Sequence, residues 1–256
     1  RTSGDMIGAA LAGIVAETLG YGSAWAMLVG LGMLGVVGSL ALPVLPRKSA
    51  LRGFKQALAP IPSVARTPRM ALAGFTAFVA STAMTMAVIL LVPYLRELGN
   101  GETTIGLVRT GSLVGSVGIG MVFGKMVSRA GQRNLYVLAL FAMSMIMFAV
   151  PIVGTALATM SILMFAYGTF YGLLGPLYPL TAATFSSQEQ RGVAMAYVGL
   201  YWGVAQIVVP VGFGLIAVSI GLKETFWFAG GMFLTFAVTM PILFQVLVKV
   251  RVPAHN

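Results

Sequence analysis

Eight apolar runs, most of them long enough to cross a lipid bilayer, follow one another along this chain with only short polar breaks. A helix rises 1.5 Å per residue, so about 20 apolar residues span the ~30 Å hydrocarbon layer. Inside that layer the backbone must satisfy its own hydrogen bonds, which leaves helices or closed barrels. Runs of this length belong to helices, because a barrel strand needs only about 10 residues. They fall at about 4–19, 24–45, 70–95, 104–127, 135–153, 156–185, 193–220 and 225–248. The predicted fold class is all-α integral membrane with about eight transmembrane helices.

Composition excludes the soluble alternatives. Charged residues make up 9% of the chain against about 25% in soluble domains, and the mean hydropathy is +0.94. The net charge of +10 is not a nucleic-acid footprint, since the basic residues lie in the breaks between runs. There they report topology and contact with anionic lipid, so the bilayer is the expected partner and nucleic acid is not. With no cysteine, and with His255 the only histidine, no metal-ligand set is available. No Ser/His/Asp set occurs, nor a Gly-rich phosphate loop followed by Lys-Ser or Lys-Thr. The chain reads as a non-enzyme that needs no cofactor. The 16 methionines are expected as packing and lipid-facing filler.

Charge placement orients the spans. The break at 47–69 carries Arg47, Lys48, Arg52, Lys55, Arg66 and Arg69, three prolines and no acid, a strong inside marker. Lys125 to Arg133, Arg191, and the tail with Lys249 and Arg251 also read as inside. The breaks beginning at Arg96, Gly154 and Gly221 are poor in basic residues or balanced by Glu97, Glu102 and Glu224, and read as outside. Both ends of the chain are then cytoplasmic, in a plasma or inner membrane. No signal peptide with a basic start and small-residue cleavage site precedes the first run.

The turn between the fourth and fifth runs reads Gly124-x-x-x-Ser128-Arg129-x-Gly131-x-Arg133. This pattern resembles the loop signature of the major facilitator superfamily of secondary transporters. Ser128 stands where the family has an acid, and Gln132 replaces one basic residue. The resemblance implies a twelve-helix fold and a gating role for Gly124, Lys125, Ser128, Arg129, Gly131 and Arg133. The loop would brace helix ends in one conformation and release them in another, with weaker charge pairing than in typical members. An internal repeat agrees with it: Gly13 and Gly214, Gly20 and Gly221, Trp25 and Phe226, and Gly30 and Gly231 are each 201 residues apart. Parallel repeats of this kind mark the two halves of facilitator-type transporters. Residues 1–46 are then the last two helices of an amino-terminal half, the first of them incomplete. Residues 47–69 are the basic cytoplasmic linker, and 70–256 a complete six-helix carboxy-terminal half. The chain is expected to be an amino-terminally truncated transporter.

In the first run, Gly4, Gly8, Ala12 and Gly13 form a small-residue face suited to close helix packing. It also resembles the antiporter signature of drug exporters, with Ala9 in place of its proline and Ala12 in place of a glycine. Its repeat partner keeps Pro210 and Gly214. The resemblance further implies that runs 70–95 and 156–185 line a central cavity. Tyr167, Tyr171 and Tyr178 on the second of these lie within about 40° of one another, and the stripe fits either a watered cavity or aromatic packing. Thr82, Thr85, Tyr201, Trp202 and Gln206 are further lining candidates, each equally compatible with packing between helices. Arg109 is a charge inside a span: it either snorkels to the interface or faces the cavity and attracts anionic solutes. The last six spans hold no buried acid, so a coupling proton would use residues outside this chain.

The expected function is secondary transport of a small organic solute by alternating access, with efflux by antiport as one form and facilitated uptake as another. A lipid scramblase and a non-transporting membrane assembly subunit are the readings from other classes.

Overall fold

The computed structural model describes residues 2–40, 66–153 and 156–249. They form seven helices: α1 (Thr2–Leu40), α2 (Pro68–Ile89), α3 (Leu91–Glu97), α4 (Glu102–Val153), α5 (Leu157–Phe185), α6 (Arg191–Ile220) and α7 (Leu222–Lys249). Most of the linker 47–69 lies outside the described residues. Among the described residues, six segments are long and apolar enough to cross a membrane: Gly13–Gly38, Pro68–Glu97, Glu102–Val153, Leu157–Phe185, Arg191–Ile220 and Leu222–Leu247.

Two helices are too long to cross once. The 52 residues of α4 would extend about 78 Å if straight. Instead α4 breaks at Gly131, with φ 75° and ψ 157°, and α1 breaks at Gly20, with φ 82° and ψ 163°. A side chain at either position would meet the steric penalty of positive φ. The two breaks turn six helical segments into eight legs. Gly221, between α6 and α7, repeats the same conformation at φ 94° and ψ 160°. The α2/α3 break at Leu90 has another cause: Pro93 offers no N–H to the carbonyl of Ile89.

The legs pack through small residues and through hydroxyls bonded across helices, as expected where hydrophobic burial drives no association between helices in lipid. The first leg of α4 and α5 run parallel, with Gly115 against Phe165 and Thr169, Gly168 against Ser112 and Gly172 against Ser116. A Cβ at Gly168 would fall onto the Ser112 carbonyl, and one at Gly172 would sit 2.7 Å from the Ser116 Cα. The α2 and α6 helices also run parallel: the Tyr201 ring covers Gly74, and the Ser81 hydroxyl donates to the Trp202 carbonyl at 3.0 Å. The second leg of α4 is antiparallel to α7, joined by the Ser144 hydroxyl donating to the Gly230 carbonyl at 2.7 Å. Tyr136, Tyr167, Phe226, Phe233, Leu140 and Met143 are fully buried among these contacts. Val208, Val211, Leu215 and Val218 on α6 are exposed, an apolar face suited to lipid.

Candidate transport cavity and its two ends

The small-residue contacts leave a cavity of about 840 Å³ between α2, the first leg of α4, α5 and α6. That size suits a small organic molecule. Met84, Ala87 and Val88 come from α2; Arg109, Ser112, Ser116 and Met121 from α4; Tyr171, Tyr178 and Pro179 from α5; and Met195, Gly199 and Trp202 from α6. Gly172 and Gly175 also line it. Pro176 and Pro179 stand four residues after them and have no N–H, so these two glycine carbonyls lack the usual helical donor. Backbone freed in this way inside a membrane is tolerated where it lines a cavity.

The structure separates the predicted lining residues into two groups. Arg109, Tyr171, Tyr178 and Trp202 border the cavity, and the rings of Tyr178 and Trp202 lie 5.1 Å apart at 33°. Tyr167 lies elsewhere: it is fully buried and donates its hydroxyl to the Ala83 carbonyl at 2.6 Å. Gln206 donates to the hydroxyls of Ser81 and Thr85 at 3.0 Å each, tying α6 to α2. Thr85 bonds back to the Ser81 carbonyl and Thr82 to that of Phe78, both within α2. The Tyr201 hydroxyl is 3.0 Å from that of Tyr197. None of these five borders the open volume: Tyr167, Gln206 and Thr85 join helices, while the hydroxyls of Thr82 and Tyr201 bond within their own helices. Ser112 and Ser116 do not stand out in the sequence, although they follow Arg109 by three and seven residues on one helix face.

At one end of the bundle lies the Gly131 turn. Lys125, Arg129 and Arg133 are exposed and have no carboxylate partner among the described residues. Ser128 caps its own helix, donating to the Lys125 carbonyl at 2.9 Å. The turn is fastened by Gln132, which donates to Thr184 and accepts from Thr181, both at 3.2 Å. The residue in place of a basic one therefore makes the cross-helix contact. Gly124 has open space around it.

The other end holds a polar cluster that the sequence shows only as scattered acids. Glu102 accepts from the Tyr21 hydroxyl at 2.7 Å and from Arg96 at 2.9 Å, and Arg96 also donates to Tyr21 at 3.2 Å. Glu17 accepts from the Thr103 backbone N–H at 2.6 Å, so an acid from α1 caps the start of α4. Nearby, a Cβ at Gly13 would sit 2.7 Å from the Glu102 carbonyl. The side chains of Gly4, Gly8 and Ala12 lie outside the described residues; Pro210 sits inside α6, and Gly214 has open space around it.

A bundle of long apolar helices around an open cavity, with turns at two opposite ends, defines a multi-pass α-helical membrane protein. The family model described as Major Facilitator Superfamily matches residues 73–256, and the chain belongs to that superfamily of transporters. No individual curated protein matches the sequence.

Proposed function

We propose that the protein moves a small organic solute across the plasma or inner membrane by alternating access, with the four-walled cavity as the solute site. The observation that carries this reading is a cavity that runs between two unlike ends of the bundle. The Glu102 cluster ties α1 to the rest of the bundle at one end. The cavity runs from Arg109, two turns from that cluster, to Pro179 and Met195, within two turns of the α5 end and the α6 start, where the exposed Lys125, Arg129 and Arg133 have no carboxylate partner among the described residues. With the basic breaks on the cytoplasmic side, this arrangement is fastened at its outer end and looser at its inner one, which favours access from inside. The 201-residue spacing of Gly20 and Gly221, each a break between apolar legs, supports the two-half reading, with 1–46 as the end of one half, 47–69 as the linker and 70–256 as the other half. Efflux by antiport is the form favoured by the small-residue face of the first leg, Gly4 to Gly13. Under this reading the Gly131 turn braces the cytoplasmic helix ends through Gln132 as well as Arg129.

The chain has no cysteine, so a single introduced thiol reports cleanly. Ser116→Cys places it in the cavity wall. In oriented membrane vesicles, a membrane-impermeant maleimide is expected to label this variant readily from the cytoplasmic side and slowly from outside. Labelling confined to one side under all conditions would remove alternating access.

A further inference from the structure

Arg109 is the one charged residue bordering the cavity among the described residues, and it makes no hydrogen bond or ion pair to any of them. The acid nearest to it along α4 is Glu102, two helical turns and about 10 Å away, and that carboxylate already holds Arg96 and Tyr21. The guanidinium therefore stands without a counter-charge at the end of the cavity nearest Glu102. From Arg109 to Met121 the α4 wall runs about 18 Å. Along it and opposite it the surface is flat and polarisable, with the Tyr178–Trp202 pair, Tyr171, Met84 and Met195. A charge held in a partly dry site selects strongly for the opposite sign, because a mismatched or absent partner leaves it desolvated without compensation. Aromatic faces and thioethers favour a planar apolar body.

We infer that the cavity binds an aromatic organic anion: a carboxylate on Arg109, with the ring system lying against Tyr178 and Trp202. The inference rests on the cavity being the solute site and adds the class of solute. A fork of two parallel N–H groups matches a carboxylate better than an ammonium would, so Arg109 should be only partly replaceable by lysine.

The test uses the purified protein in detergent and equilibrium dialysis against three probes of one shape: 2-naphthoate, 2-naphthalenemethanol and 2-naphthylmethylammonium. The expected result is saturable binding of 2-naphthoate, about ten-fold or more tighter than the alcohol, with the ammonium weakest. Arg109→Gln should erase the preference while leaving the alcohol within about two-fold, Arg109→Lys should keep part of it, and Trp202→Ala should weaken acid and alcohol together. Equal binding of the three probes, a preference that survives Arg109→Gln, or no saturable binding of 2-naphthoate would each overturn the inference. Should Arg109→Gln fail to elute as a folded species, the lysine variant and the probe series in the native protein still decide it. The sided labelling of the Ser116→Cys variant needs no ligand, so alternating access stands or falls separately.

Discussion

Tyr167 shows what one hydroxyl does inside this bundle. Its phenol is sealed from the cavity and donates to the Ala83 carbonyl at 2.6 Å, joining α5 to α2. Tyr167→Phe removes the donor but keeps the ring, and the Ala83 carbonyl retains its helical partner. The expected cost is about 1 kcal/mol, read as a modest fall in thermal midpoint in detergent with the helical signal unchanged. Tyr167→Ala should cost about 3–5 kcal/mol through the space it leaves. Helical periodicity puts Tyr167, Tyr171 and Tyr178 on one stripe. It gives the direction of a side chain from its own axis and says nothing of what stands opposite. A neighbouring helix covers Tyr167, and the open volume faces the other two. Gln206 illustrates the same limit: its position one turn from Trp202 is plain, but its partners Ser81 and Thr85 lie more than a hundred residues away in sequence. Arg109 was legible because a lone charge in an apolar run has few places to go.

Between elements, the α4–α5 contact is the closest in the structure. Gly168→Val would drive its Cβ into the Ser112 carbonyl, backbone that cannot swing aside, and add two methyl groups to the same seam. The variant is expected to lose most of its folded fraction on size-exclusion in detergent. Gly118→Ala, on the same leg of α4 with open space around it, should be neutral or slightly stabilising, since alanine favours helix over glycine by about 1 kcal/mol. Equal behaviour of the two variants would mean that the glycines serve only to thin the helices. The spacing Gly168-x-x-x-Gly172 is visible in the sequence, but with 32 glycines in the chain nothing local separates these two from the rest. The paired breaks at Gly20 and Gly221 are easier to see, because each falls where one long apolar run must end and the next begin.

For the whole molecule, the Glu102 cluster is the fastening between α1 and the remaining helices at the end expected to face outside. The double variant Tyr21→Phe, Glu102→Gln removes the hydroxyl donor and the carboxylate charge while keeping the side-chain shapes. If the cluster holds that end shut, the thiol of Ser116→Cys in this background should label from the outer side several-fold faster than with the cluster intact. Unchanged labelling would place the closure elsewhere. Fold class is plain from run length alone, whereas this fastening is not, because its members sit on three separate helices and none belongs to a recognisable motif.

The close seam between α4 and α5 has a mechanical consequence. Two helices whose backbones touch at Gly115, Gly168 and Gly172 cannot slide or rotate past each other without collision, so they behave as one stiff panel carrying Arg109, Tyr171 and Tyr178 together. Any change in the shape of the pocket has to be taken up by the opposite panel. There α2 is already interrupted at Leu90, two residues beyond Val88 in the wall, and α6 grips α2 through the hydrogen bonds from Gln206 to Ser81 and Thr85. Under the alternating-access reading proposed above, the part expected to move is the α2–α6 side, with the break at Leu90, before Pro93, as its pivot.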